Sequence, residues 1–345
     1  MKEIYSAIDA NINRCIEGIR VCEDIFRFGL KDIFSLEFKN LRHRIREIIS
    51  LIPPGLLLDG RDVLRDEQRF INTSGEMKRE SIKDLFGSNM HRAIEASRVI
   101  EEITKSINTG VAEGFQQVRF TLYELEKKGW FIIEKTDLMQ KFRYSLYAII
   151  DSGFVPVDKM VDTSKILIDS GAPIIQLRMK NSSDKEYLSV AEKISGVCRD
   201  NSALFIVNDR VDIAIISGAG GIHLGQGDIP IKSAKSILGD KFITGISVSN
   251  INEADKETAD YIAVGPVFQT FSKDGGLPGI GMDAVKEICS STDKPVAAIG
   301  GISESNIGML LDAGVSSLCV ISALYKDGKI SENTKRLINA IKSYK

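Results

Sequence analysis

Hydrophobic positions along the chain follow two different periods, and the change falls near residue 140. From about residue 143 onward, short apolar and β-branched runs alternate with charged stretches of helical spacing. The runs read YSLYAII, IIQLRMK, ALFIVND, GIHLG, FITGISV, YIAVGP, PVAAIGG and SLCVIS. Eight such runs, each followed by room for a helix, predict successive parallel βαβ units. A (β/α)8 TIM barrel is their natural closure. A doubly wound open sheet ranks second, because even spacing and a terminal AIGG…VIS pair suit a barrel better. Residues 1–135 instead place apolar side chains every three to four positions, which predicts an all-α domain, with turn signals at LIPPG and NTSGE. The chain thus reads as α/β: a helical domain over 1–135 and a barrel over 143–345. Between them, GWFIIEKTDLMQKF (129–142) is not rich in Gly or Ser, which predicts a short, docked connection.

The helical half repeats itself. NINRCIEGIRVCEDI (11–25) matches NMHRAIEASRVIEEI (89–103) at a shift of 78 residues. Asn11, Arg14, Glu17, Arg20, Val21 and Glu23 recur as Asn89, Arg92, Glu95, Arg98, Val99 and Glu101. Ile12, Ile16, Ile19 and Phe26 form one helical stripe, expected in the core. Asn13, Glu17, Arg20 and Asp24 form another, with His91, Glu95, Arg98 and Glu102 as its counterpart. Two readings are open. The polar face is either solvated and laced by i,i+3 and i,i+4 ion pairs, or it lines a cleft between two pseudo-symmetric units, with Arg14, Glu17, Arg20, Arg92, Glu95 and Arg98 on its walls.

Composition narrows the function classes. The chain has 345 residues and a formal net charge of −2, so no basic field invites nucleic acid or an anionic membrane. Five cysteines, at 15, 22, 198, 289 and 319, form no CxxC pair and keep company with only three histidines, which argues against zinc. Their scatter suggests reduced thiols and a cytoplasmic setting. No 18-residue apolar run is present. The expected partners are small-molecule substrates, without nucleic acid or membrane, and homo-oligomer formation is left open.

In such a barrel, chemistry sits at the C-terminal ends of the strands. The second run ends with Gln176, Arg178 and Lys180 on one face by period two. Cations at a barrel mouth call for an anion, either a bound pyrophosphate or carboxylate or a neighbouring acid. The third run ends in Asn208-Asp209, and the loop after the fourth carries Gln226 and Asp228. Two acids at adjacent strand ends offer an all-oxygen site suited to Mg²⁺; the alternative is that each caps the helix that follows. His223 lies inside its strand and is expected to be a packed core histidine. Ser247 ends the fifth run. Thr270, Ser272 and Lys273 follow the sixth in a stretch that is either a phosphate-closing loop or plain surface. Gly301 and Ile321-Ser322 stand after the last two runs, where barrels bind phosphate through backbone N–H groups.

Taken together, QLRMK, VND, GIHLGQGD, GIS, YIAVGPVFQTFSK, AIGGI and VIS, in this order, resemble thiamine-phosphate synthase, also called thiamine-phosphate pyrophosphorylase. The resemblance covers about residues 143–345. It implies that hydroxymethylpyrimidine pyrophosphate loses pyrophosphate and that the nitrogen of thiazole phosphate captures the pyrimidine methylene. It further implies that Gln176, Arg178, Lys180 and Asn208 contact the pyrimidine pyrophosphate, that Asp209 and Asp228 hold Mg²⁺, and that Ser247 and Lys273 meet the departing pyrophosphate. Thr270, Gly301, Ile321 and Ser322 would bind the thiazole phosphate, with Ser272 in the same loop. Two positions depart from the family pattern: Ser249 stands where a histidine is usual, and Gly220 where an aspartate is common. Ser249 argues against the thiazole tautomerases of the same fold, and the complete set of cations and acids argues against a non-catalytic precursor-binding regulator. In the first half, DANINRCIEGIRVCEDIFRF, LRHRI and RDVLRDE look like the helical domain fused to some bacterial synthases, a candidate alternative phosphomethylpyrimidine kinase. That half carries no GxxxxGK[ST] loop, so phosphoryl transfer would draw on residues such as Arg14, Arg20, Arg42, His43, Arg92 and Arg98.

Overall fold

The computed structural model describes residues 2–60, 79–254, 258–270 and 278–344. The chain divides into two compact units, 1–134 and 135–345.

The first unit is helical: α1 (Lys2–Asp24), α2 (Ser35–Ile49), α3 (Pro54–Gly60), α4 (Ile82–Thr104) and α5 (Thr109–Met139). The repeated segments are α1 and α4. Ile8, Ile12 and Ile19 of α1 meet Phe86, Met90 and Ile100 of α4 in one apolar core, joined by Phe38 and Phe115. The two helices approach closely at Gly18, where an added Cβ would lie 2.7 Å from the Asn89 carbonyl oxygen. Among the recurring polar residues, Asn11, Asn89, Glu23 and Glu101 have structural partners. Asn11 and Asn89 each donate to the carbonyl four residues back, at 2.8 Å. Glu23 and Glu101 are each 2% exposed. Each accepts from an arginine of the helix that follows it: Arg42 at 2.7 Å and Arg119 at 2.8 Å. A buried carboxylate is tolerated only when paired, so the repeat preserves one ion pair per helical hairpin.

The second unit holds β1 (Ser145–Asp151), β2 (Ile174–Arg178), β3 (Leu204–Asn208), β4 (Gly221–Leu224), β5 (Ile243–Val248), β6 (Tyr261–Val264), β7 (Val296–Ile299) and β8 (Ser317–Val320). They pair in chain order, all parallel, and β8 returns to β1 to close the barrel. Closure excludes the open sheet. Period two divides each strand between two cores. Tyr147, Ile149, Ile174, Ile206, Tyr261 and Cys319 fill the lumen, while Leu146, Ile150, Leu177, Val207 and Ile262 face the surrounding helices. Gly245 leaves the space that Tyr261 occupies, since a Cβ there would lie 2.0 Å from the tyrosine ring. The segment 129–142 proves helical: α5 continues to Met139 and a single tight turn, Gln140–Phe142, leads into β1. Phe142 is fully buried beneath the lumen, 4.5 Å from the Tyr261 ring.

Candidate active site

The C-terminal ends of β1 to β4 bring acids and cations together. Asp151 and Arg178 are the last residues of β1 and β2 and stand opposite each other in register. Arg178 Nη1 meets Asp151 Oδ2 at 2.5 Å. Just past β2, Lys180 Nζ meets Asp209 Oδ2 at 2.5 Å. Asp209 adopts a left-handed backbone, φ 66°. Asp tolerates that conformation better than most residues, and such outliers gather at functional sites. It is held there by its N–H, which donates to the His223 carbonyl at 2.9 Å.

Asp228 accepts from the Gly225 N–H at 2.7 Å. Its pKa is raised above the ordinary carboxylate value, first by burial and then by the neighbouring Asp209, with Lys180 acting in the opposite sense. Neither acid caps a helix: Arg210 and Pro230 precede the helices Val211–Ile216 and Ile231–Leu238, and neither helix has a side-chain cap bond. The two carboxylates are therefore a pair with excess negative charge. Among the described residues no cluster of three or more His, Cys, Asp or Glu is poised to hold a metal. Any cation here would rest on two protein carboxylates, with its other ligands coming from solvent or substrate.

Below this layer a hydrogen-bonded chain crosses the lumen. Gln176 Nε2 donates to the Tyr147 hydroxyl at 2.6 Å. That hydroxyl meets Tyr261's at 2.8 Å, which meets His223 Nδ1 at 2.9 Å. His223 Nε2 then reaches Ser247 Oγ at 2.9 Å. Burial drives the Tyr147 and Tyr261 hydroxyls well above the ordinary tyrosine value, so both stay protonated. His223 is buried in the lumen and is also wired to Ser247. Gln176, 2% exposed, lies beneath the mouth in this chain.

Ser247, Thr270, Gly301, Ile321 and Ser322 line one concavity at the same end of the barrel, with Cys319 and Pro266. Gly300 and Gly301 both have positive φ, 100° and 66°. A Cβ on Gly300 would also lie 2.6 Å from Pro266, so glycine is required on two counts. Asn306 Nδ2 fastens this loop by donating to the Gly301 carbonyl at 2.9 Å. Gln226 ties the Asp228 loop to β5 through Ser247 O at 2.8 Å. Ser272 and Lys273 lie outside the described residues, as do RDVLRDE and NTSGE. Asn208 is buried, and Ser249 is exposed, its N–H donating to the Glu253 carboxylate at 2.7 Å in a cap shared with Asn250.

Two contributors had no part in the sequence-based set. One is Asp151, whose signal was its place as the last residue of an apolar run. The other is Tyr187 of the helix after β2, α7 in order (Asp184–Asp200, with α6 at Met160–Asp169 after β1). Its hydroxyl bridges the Leu177 and Asn208 carbonyls at 2.8 and 3.0 Å, pinning the ends of β2 and β3 together. No local pattern announces such a long-range bridge.

In the helical unit, Arg20 engages Glu23 and Asp24 at 3.8 and 3.2 Å, and Arg98 engages Glu101 and Glu102 at 2.9 and 2.6 Å. Arg14, Glu17, Arg92 and Glu95 are exposed. Arg42 is only 8% exposed, its guanidinium committed to Glu23. That commitment removes it from the set of side chains open to a phosphate.

Comparison with known proteins gives concordant results. A family model described as thiamine monophosphate synthase matches residues 146–324, and one described as the ThiD2 family matches residues 6–128. A thiamine-phosphate synthase of Prochlorococcus marinus subsp. pastoris is 35% identical, covering 93% of this chain and 90% of its own. One from Nostoc sp. is 33% identical, covering 99% and 95%. The solved thiamine phosphate pyrophosphorylase from Pyrococcus furiosus is 34% identical with a TM-score of 0.55, covering 60% of this chain and 98% of its own.

Proposed function

The chain belongs to the thiamine-phosphate synthase family, and from that premise we propose how its barrel mouth divides the labour of the reaction. The activity is that of a transferase in thiamine biosynthesis: hydroxymethylpyrimidine pyrophosphate and thiazole phosphate condense to thiamine monophosphate, and pyrophosphate leaves. The observation that carries the assignment of roles is the cluster of Arg178, Lys180, Asp209 and Asp228 at adjoining strand ends.

The bond that breaks joins the pyrimidine methylene carbon to the pyrophosphate oxygen, and its electron pair goes to pyrophosphate. Charge therefore grows on the leaving group, and donors fixed in advance around it lower the barrier. Arg178 offers a planar fork for the phosphate oxygens, and Lys180 a point charge beside it. Ser247 and Lys273 complete the leaving-group contacts. Gln176 and Asn208 bear on the pyrimidine side. The thiazole nitrogen supplies the new electron pair to the methylene carbon, with its phosphate held by Thr270, Ser272, Gly301, Ile321 and Ser322.

The donor set fits a small hard cation: two carboxylates sit side by side, and the charge of one raises the pKa of the other. Asp209 and Asp228 would hold Mg²⁺, which when bound supplies neutralising charge to the pyrophosphate. Five free cysteines, four of them buried, support a reducing, cytoplasmic setting; no helix among the described residues is long and apolar enough to cross a membrane. The test is thiamine phosphate formation from both precursors. Product is expected with Mg²⁺ and absent after chelation. Turnover that survives EDTA would remove the cation from the scheme, and no product under any condition would overturn the assignment of the barrel.

For the helical unit we propose a role in the pyrimidine branch, supported by the ThiD2 match and by exposed Arg14, Glu17, Arg92 and Glu95 in equivalent places of a duplicated helix. The intact chain, given ATP and the pyrimidine monophosphate, is expected to release ADP in amounts that fall in an Arg14→Ala/Arg92→Ala variant. No ADP above the substrate-free rate would exclude phosphoryl transfer.

A further inference from the structure

We infer that Asp151 is a positioning residue for the leaving group, acting through Arg178. The inference rests on the reading above that Arg178 binds the pyrophosphate. Asp151 ends β1 directly opposite Arg178 in register. Its side chain is 5% exposed, against 21% for that of Arg178. The carboxylate is thus more deeply buried than the guanidinium, which it meets at Nη1.

Both carboxylate oxygens are committed. Oδ2 accepts from Arg178 Nη1 at 2.5 Å, and Oδ1 accepts from the Gly153 N–H at 2.7 Å. The surrounding backbone is fixed as well. Ser152 N–H donates to the Arg178 carbonyl at 3.0 Å, and the Phe154 and Val155 N–H groups return to the Asp151 carbonyl at 2.9 and 3.0 Å. The carboxylate can therefore swing neither toward nor away from the guanidinium. An arginine on a free side chain would lose several rotamers on gripping an anion. Arg178 has already lost them, because Asp151 holds one of its N–H groups.

Such a pair carries no net charge, so its contribution is directional. Net attraction for the leaving group would come from the Mg²⁺ that Asp209 and Asp228 would hold, and Asp151 fixes the angle at which Arg178 presents its remaining donors. The effect should fall on pyrophosphate binding and spare the thiazole side.

Asp151→Asn keeps the shape and an acceptor for Gly153 but loses the charge that holds the guanidinium; Asp151→Ser serves as a second variant should the amide unsettle the strand. In folded protein, with Mg²⁺ present, the Kd for inorganic pyrophosphate and the KM for the pyrimidine pyrophosphate are both expected to rise about tenfold, at the low end of what outer partners of a binding group contribute. The KM for thiazole phosphate should move less than twofold. In an Arg178→Lys background, which has no fork to orient, the same Asp151 change should have under a twofold effect. An unchanged pyrophosphate Kd, or an equal rise in both backgrounds, would overturn the inference. The binding arm needs no turnover. If wild type binds pyrophosphate but forms no thiamine phosphate, the reaction reading fails, while the Kd shift still decides Asp151.

Discussion

Asp209→Asn is expected to lower kcat/KM by about 10²–10³-fold, the range seen when one preorganised charge-stabilising group is removed from an active site. Three consequences converge on this residue. The Lys180 ammonium loses the carboxylate that holds it at 2.5 Å. The proposed cation site would keep only Asp228. The like charge that helps raise the Asp228 pKa disappears, so that pKa falls back toward the ordinary value. Asparagine is the informative replacement because of the backbone. Asp209 sits at φ 66°, where alanine would add about 1–2 kcal/mol of strain and asparagine very little. An activity loss in Asp209→Asn therefore reports on charge, and its melting temperature should stay within a few degrees of wild type. The Mg²⁺ concentration giving half-maximal rate should rise in the same variant. A variant with near-normal turnover and an unchanged Mg²⁺ requirement would show that neither the lysine nor the cation depends on this carboxylate.

Why could this site be anticipated from sequence while part of it could not? Strand ends are local features. A run such as ALFIVND shows both its apolar body and its polar terminus within seven residues, so Asp209 and, by the same logic, Arg178 stand out. Asp151 obeys the same rule, yet its meaning comes from register with a residue 27 positions on, and only closure of β1 on β2 reveals it. The lumen chain from Gln176 to Ser247 is more remote still. Tyr147 and Tyr261, 114 residues apart, meet only because the barrel brings opposite walls together. A tyrosine in a strand reads as apolar filling until its hydroxyl's partner is known. The same limit explains Glu23 and Glu101. Their recurrence was visible, but a helical period cannot say that a following helix places an arginine over each.

That arrangement makes Glu23→Ala the most damaging single change expected in the helical unit, at about 3–5 kcal/mol, because it leaves the arginine of a buried pair without its counter-charge. Among the described residues Glu23 is the only ion-pair partner of Arg42: the arginine side chain is 9% exposed, and Glu23 receives both its Nε and its Nη2, at 2.7 and 2.5 Å. The equivalent change in the second copy, Glu101→Ala, should cost less. Arg119 is 13% exposed, stands 4.9 Å over the Phe120 ring and 5.8 Å from that of Tyr123, and retains a bond to the Tyr123 hydroxyl at 3.3 Å. Those contacts keep part of its charge satisfied once the carboxylate is gone. The measurement is straightforward because the chain has a single tryptophan, Trp130, which lies edge-on to Phe86 at 5.7 Å within this unit. Its fluorescence through a urea titration follows the helical unit without a barrel signal. The Glu23→Ala midpoint should fall furthest, Glu101→Ala should lie between it and wild type, and Glu23→Ala/Arg42→Met should recover part of the loss, since it removes the stranded charge while the shortened side chain at 23 still leaves a cavity. Equal shifts in the two single variants would mean that the aromatic shelf beside Arg119 contributes nothing. A double variant no better than Glu23→Ala would show that the loss comes from packing around the helix crossing rather than from an unpaired guanidinium.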